Sequence, residues 1–110
     1  MGTGTIGAMT DDTHVIDNPA RSRFELVADG QVAGHIRYTV DGDRIVLVHA
    51  EVDEAFAGRG HGSRLVRGTL DLIRRTDRPM VNDCPFVARW VARNPEYADL
   101  VPIDEHSTNG

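Results

Sequence analysis

Two Asp-Gly pairs, Asp29-Gly30 and Asp41-Gly42, constrain this chain more than anything else in it. A two-residue hairpin turn of type I′ needs φ > 0 at both central positions, which aspartate tolerates and glycine adopts freely. The runs around these pairs alternate with the period of a strand. Phe24, Leu26 and Ala28 oppose Arg23, Glu25 and Val27. Val32, Gly34, Ile36, Tyr38 and Val40 alternate with His35, Arg37 and Thr39. From Arg44 to Val52, the residues Val46, Val48, Ala50 and Val52 share one face, and Ile45, Leu47, His49 and Glu51 the other. Residues 24–52 therefore read as an antiparallel meander of three strands with two-residue turns. Residues 10–20 are polar, end in Asn18-Pro19 and read as extended chain or loop.

After the meander comes Gly58-Arg59-Gly60-His61-Gly62-Ser63, and the period changes from 2 to 3.6. Gly62, Leu65, Val66, Thr69, Leu72 and Ile73 form one stripe with Leu70 on its flank, so a helix is expected from Gly60 to about Arg75. Its first N–H groups and the positive end of its dipole face the glycine turn. Without side chains to block approach, that turn suits a phosphate or pyrophosphate, and Arg59 adds a charge of matching geometry. The alternative is a tight turn with no ligand. Met80, Val81 and Asn82 read as a short strand entered through Pro79. Strand, helix and strand in this order make a right-handed crossover, so the third and fourth strands are expected to be parallel and the sheet mixed. Cys84-Pro85 looks like a helix start, and Val87, Trp90 and Val91 give that helix its apolar side up to Asn94-Pro95.

Composition narrows the rest. A chain of 110 residues is expected to form one domain. Residues 1–20 read as a flexible extension without the pattern of a signal peptide, 21–103 as the domain, and 104–110 as a flexible tail. No run has the length of a membrane-spanning helix. Cys84 is the single cysteine, which excludes an internal disulfide and suits a reducing cytoplasm. A net charge of −5 argues against a nucleic-acid partner. His14, His35 and His106 show no metal-ligand spacing, so no metal is expected.

The meander, the glycine loop opening a helix, and the strand and helix that follow resemble the GNAT superfamily of N-acetyltransferases. Its loop motif falls on Ala57-Gly58-Arg59-Gly60-His61-Gly62, with Ala57 where the superfamily usually has Gln or Arg. His49-Ala50-Glu51-Val52, Cys84-Pro85-Phe86-Val87, Trp90 and Asn94-Pro95-Glu96-Tyr97 are similar to a small single-domain branch described as YjdJ-like. The resemblance implies an α+β fold: a mixed, mainly antiparallel sheet of about four or five strands, a β-α-β crossover at the glycine loop and a C-terminal helix. It also implies acyl-CoA binding, typically acetyl-CoA. Gly58, Arg59, Gly60, His61, Gly62 and Ser63 would hold the pyrophosphate, and Ala50 and Val52 would face the pantetheine arm through main chain.

What the resemblance implies as chemistry is transfer of the acyl group to an amine, either small or a protein lysine; a monomer or weak dimer in the cytoplasm is the accompanying expectation, the compartment resting on the single cysteine. Glu51 and His49 are then the candidate bases, and Glu51 would need burial to be efficient. Tyr97 would protonate the leaving thiol, or else be an amphipathic core tyrosine. Cys84 would line the site during direct transfer, or take the acyl group itself. The competing reading is a non-catalytic acyl-CoA-binding or regulatory module. A dinucleotide-binding unit fits poorly, because Ser63 stands where the third glycine of G-x-G-x-x-G belongs.

Overall fold

The computed structural model of the chain describes residues 13–56, Gly58 and residues 60–101. Arg59 and Ala57 of the loop, the first part of the 1–20 extension and the 104–110 tail lie outside the described residues. Five strands form a single sheet in sequence order: β1 (Thr13–Asn18), β2 (Arg23–Ala28), β3 (Gln31–Asp41), β4 (Arg44–Val52) and β5 (Met80–Asn82). The first four pair antiparallel, and β4 pairs parallel with β5 across Ile45–Met80 to Leu47–Asn82. Two helices complete the fold, α1 (His61–Thr76) and α2 (Pro85–Arg93). The sheet is thus mixed and mainly antiparallel, with the crossover running through α1.

β1 corrects the reading of residues 1–20 as a flexible extension. Thr13–Asn18 lies along β2, with Val15 opposite Leu26 and Asp17 opposite Phe24. Its composition hides it, because this edge strand shows only Val15 and Ile16 as strongly apolar residues. Val15 packs against the core from the inner face, and the Tyr38 hydroxyl donates to Asp17 Oδ1 at 2.7 Å, tying β3 to β1.

The first hairpin turn is as expected, with φ of 52° at Asp29 and 79° at Gly30. The second lies one residue on. Asp41 pairs with Arg44, so Gly42 and Asp43 occupy the turn, and of these only Gly42 has positive φ. That is the pattern of a type II′ turn, in which glycine takes the first central position.

Two bulges then break the strict alternation. Leu26 pairs with Gly34 but Val27 with Val32, leaving Ala33 as the extra residue. Ala33 is fully buried while Val32 is exposed, against the expectation that Val32 shares the apolar face. On β4, Tyr38 pairs with Leu47 but Arg37 with His49, leaving Val48 extra. A bulge moves everything beyond it to the opposite face. Ile45 and Leu47 therefore share the core face with Ala50 and Val52, and His49 and Glu51 emerge on the other side. The placement of His49 and Glu51 with Ile45 and Leu47 is corrected accordingly. The apolar spacing along β4 (45, 47, 50, 52) follows this shift.

Both helices lie over the core face. On α1, Leu65, Val66, Thr69, Leu70 and Ile73 are buried, so Leu70 belongs to the stripe and Leu72 is the flanking, half-buried residue. Trp90, Val87 and Val91 of α2 close the core from the β5 side, together with Tyr97 and Val101 beyond it. No described helix covers the outer sheet face. No described helix is long and apolar enough to cross a membrane.

Candidate active site

The site is built where the parallel strands part. Ladder pairing between β4 and β5 ends at Leu47–Asn82, and the Asp83 N–H closes it by donating to the Leu47 carbonyl at 2.8 Å. The chain then turns into α2, while the Val48 bulge bends β4 away. Residues 48–52 run on beside β3 with no β5 partner among the described residues. The result is a fork that leaves one edge of β4 open along Ala50 and Val52. Asn82 shapes the other prong. Its side-chain amide accepts from the Cys84 N–H at 3.1 Å and donates to the Cys84 carbonyl at 3.0 Å. Cys84 itself caps α2 in extended conformation, with its side chain buried.

The N-terminus of α1 lies at the same end of β4. Gly60 is its cap with φ 75° and ψ 12°, a left-handed conformation, and no side chain caps the helix there. The first-turn amides of His61, Gly62 and Ser63 thus point outward from a 16-residue dipole. Gly58 is also left-handed, at 82°. The flanking side chains are braced rather than loose. The Ser63 hydroxyl accepts from Trp90 Nε1 at 2.8 Å, which pins the first turn of α1 to α2. His61 is buried, with Nδ1 3.1 Å from Arg64 Nη1.

On the outer face, a cleft of about 730 Å³ opens beside the β3–β4 pair. Glu51, Val52, Asp53, Gly34, His35 and Arg23 are among its lining. Glu51 stands between two imidazoles: its Oε1 is 3.7 Å from His35 Nε2 and 3.8 Å from His49 Nε2. The burial expected of an efficient carboxylate base is absent, since the Glu51 side chain is 63% exposed. His35 is only 19% exposed. Its burial and the Arg23 charge pull its pKa below the ordinary imidazole value, with Glu51 pulling the other way.

Tyr97 is held against α1 and Trp90. Its hydroxyl donates to Asp71 Oδ1 at 2.8 Å and accepts from Arg67 Nη1 at 3.4 Å, and its ring lies 5.3 Å from that of Trp90. Burial and the bond to Asp71 push its pKa up. These contacts fasten the C-terminal segment to α1, and Tyr97 is not among the residues lining the outer cleft. Of the residues singled out in the sequence, Ala50 and Val52 thus lie on the part of β4 beyond its β5 pairing, Gly60, Gly62 and Ser63 at the start of α1, Cys84 at the start of α2, and Glu51 in the cleft lining.

His35 escaped the sequence reading. Counting back from the hairpin without a bulge sets His35 opposite Ala50; the extra Val48 sets it opposite Glu51. The 45, 47, 50, 52 spacing was the signal that could have revealed it. Among the described residues no three His, Cys, Asp or Glu side chains are arranged to hold a metal.

A strand fork beside an uncapped helix N-terminus is the architecture of acyl-CoA-dependent transferases of the GNAT type. The sequence model of the GCN5-related N-acetyl-transferase family matches residues 23–100, and the chain belongs to that family. It is similar to Protein NATD1 of Gallus gallus and of Homo sapiens, 36% identical over 59 residues. Each match spans 53% of this chain and about half of the relative, 54% for Gallus gallus and 52% for Homo sapiens. The fold resembles the solution structure of a GCN5-like protein from Staphylococcus aureus, with TM-score 0.58 and 19% identity over 80% of this chain and 86% of that one.

Proposed function

We propose that this protein transfers an acyl group from acetyl-CoA directly to an amine. The observation that carries the reading is the fork: an open β4 edge between the N-terminus of α1 and the turn that begins α2. Anionic pyrophosphate is matched to the amides at residues 60–63 and to Arg59. An extended amide-containing arm is matched to the main chain at Ala50 and Val52, which has no β5 partner among the described residues, pairing as an added strand would. Main-chain N–H groups at the fork are suited to the oxyanion that forms when a thioester carbonyl is attacked. Cys84 lines this end of the fork, and its buried side chain fits a wall better than a nucleophile. The exposure of Glu51 favours the second reading, a module that binds acyl-CoA without turning it over.

Calorimetric titration with acetyl-CoA, CoA and NADH tests the proposal on wild type, Gly60→Asn and Gly60→Asp. Both substitutions place a residue that tolerates left-handed φ, so they share a conformational cost and differ in charge. Saturable binding of both CoA species, but not NADH, that survives Gly60→Asn better than Gly60→Asp supports a pyrophosphate site. No binding of either CoA species refutes both readings. Amine-dependent release of CoA separates the transferase from the silent module.

A further inference from the structure

Resting on the transferase reading, we infer that His35 is the catalytic base of this site, taking the proton of the acceptor amine, and that Glu51 positions its ring. Three observations carry this. First, His35 and Glu51 both line the outer cleft, at the end where β4 passes the fork, whereas His49 does not. Second, the β4 bulge sets the two residues directly opposite each other on neighbouring strands. Glu51 Oε1 and His35 Nε2 stand 3.7 Å apart, just beyond hydrogen-bond reach, so a small side-chain movement lets a neutral ring N–H donate to the carboxylate and fixes the tautomer. Third, burial first and then nearby positive charge disfavour the imidazolium form of His35. Arg23 from β2 and Arg37 from its own strand disfavour the imidazolium, as does His49 from β4, while Glu51 favours it. Glu25, directly across on β2, is engaged by Arg23 and Asn18, and Asp53 and Glu54 line the far rim. An imidazole that is 19% exposed and whose cationic form is disfavoured is better matched to base work than a carboxylate that is 63% exposed.

The step balances without a further reactant. The amine nitrogen forms a bond to the thioester carbonyl carbon as its proton passes to a ring nitrogen of His35. The C–S bond breaks, the sulfur leaves with the electron pair, and the proton ends on that sulfur. Amine and thioester thereby become amide and thiol.

The test uses the full chain with His35→Asn, His35→Ala and, as a control on the same face, His14→Asn. The amine probes are 1,4-diaminobutane, n-butylamine and a lysine-containing peptide. Acetyl-CoA binding is measured by calorimetry, and CoA release is followed against pH. Wild type should lose kcat/KM as pH falls through a value below the ordinary histidine range. His35→Asn should lose that acidic limb and fall about 10²- to 10⁴-fold while still binding acetyl-CoA. Free imidazole should restore part of the rate to His35→Ala, and His14→Asn should match wild type. A His35→Asn enzyme as fast as wild type with the same limb overturns the base assignment and leaves the transferase standing. Wild type that binds acetyl-CoA but releases no CoA with any probe overturns both the base and the transfer. Wild type that does not bind acetyl-CoA overturns the site as a whole.

Discussion

Gly68 sits midway along α1, where alanine would ordinarily stabilise a helix by about 1 kcal/mol. Here the expected sign is reversed. A β-carbon at this position would lie 2.9 Å from Val15 Cβ and would overlap Val15 Cγ2. Carbon atoms rest at about 3.5–4.0 Å, so the shortfall is at least about half an ångström against an atom fixed to the backbone. The branched valine side chain has little freedom at χ1 to move aside. Relief requires β1 to shift off α1, straining the Tyr38–Asp17 hydrogen bond that ties β1 to β3. Overpacking of this kind costs about 1–3 kcal/mol. Set against the helix gain, Gly68→Ala should destabilise the protein by about 1 kcal/mol, with a fall in Tm of about 4–8 °C. Urea denaturation of the four-member cycle with Val15→Ala measures it. In the Val15→Ala background the Cγ2 overlap is gone although Cβ stays, and Gly68→Ala should cost less, with a coupling of about 0.5–2 kcal/mol. A Gly68→Ala protein that is more stable than wild type by the same amount in both backgrounds would refute the packing of β1 against α1.

Other outcomes follow from the same contacts. Cys84→Ala should retain amine-dependent CoA release within about threefold, since a lining position contributes only contact, whereas loss of a covalent nucleophile would cost orders of magnitude; steady-state rates decide between them. Absorbance near 295 nm should show both tyrosines ionising above the usual phenol range, Tyr38 at about 12 because burial, the bond to Asp17 and the Asp17 charge all oppose its phenolate. A raised folded value means that Tyr38 stabilises the fold below the ordinary tyrosine range and ceases to as pH climbs through 12. A tyrosine titrating normally would contradict the packing of one of the two. Burial pushes the Glu25 pKa up, but hydrogen bonds from Arg23 and Asn18 and the charges of Arg23 and Arg21 leave it lowered overall. Its stabilisation is therefore present above the ordinary glutamate range and lost as pH falls through the depressed value. Glu25→Gln should flatten the acid side of the stability–pH curve, and an unchanged acid side would remove the argument.

The parts of the fold legible in the sequence are those where one residue type has one physical use. Asp29-Gly30 marked its turn because few other pairs accept two positive φ values. The change of period at the glycine loop marked α1, and Cys84-Pro85 marked α2. What stayed hidden depended on pairing partners. Neither Ala33 nor Val48 carries a mark of being an extra residue; a bulge is defined by the strand beside it. β1 was hidden for the same reason, since Thr13, His14, Asp17 and Asn18 become a strand through the register offered by β2. In the site, the glycine loop and the fork could be placed from local pattern and resemblance. The facing of His35 and Glu51 could not, because it depends on the bulge.

The bulge at Val48 also governs how this strand can change over time. Ile45 and Leu47 ahead of it and Ala50 and Val52 beyond it all answer to the core, while Glu51 answers to the cleft, so the one extra residue sets the phase between two requirements. A point substitution in either half leaves that phase intact. Loss of a single residue between Leu47 and His49 would not: it would turn His49 and Glu51 inward and Ala50 and Val52 outward, with every other amino acid unchanged. Length in this stretch is thus a more stringent inheritance than the identity of Val48, and related chains that keep the chemistry should vary the residue at this position before they vary its count.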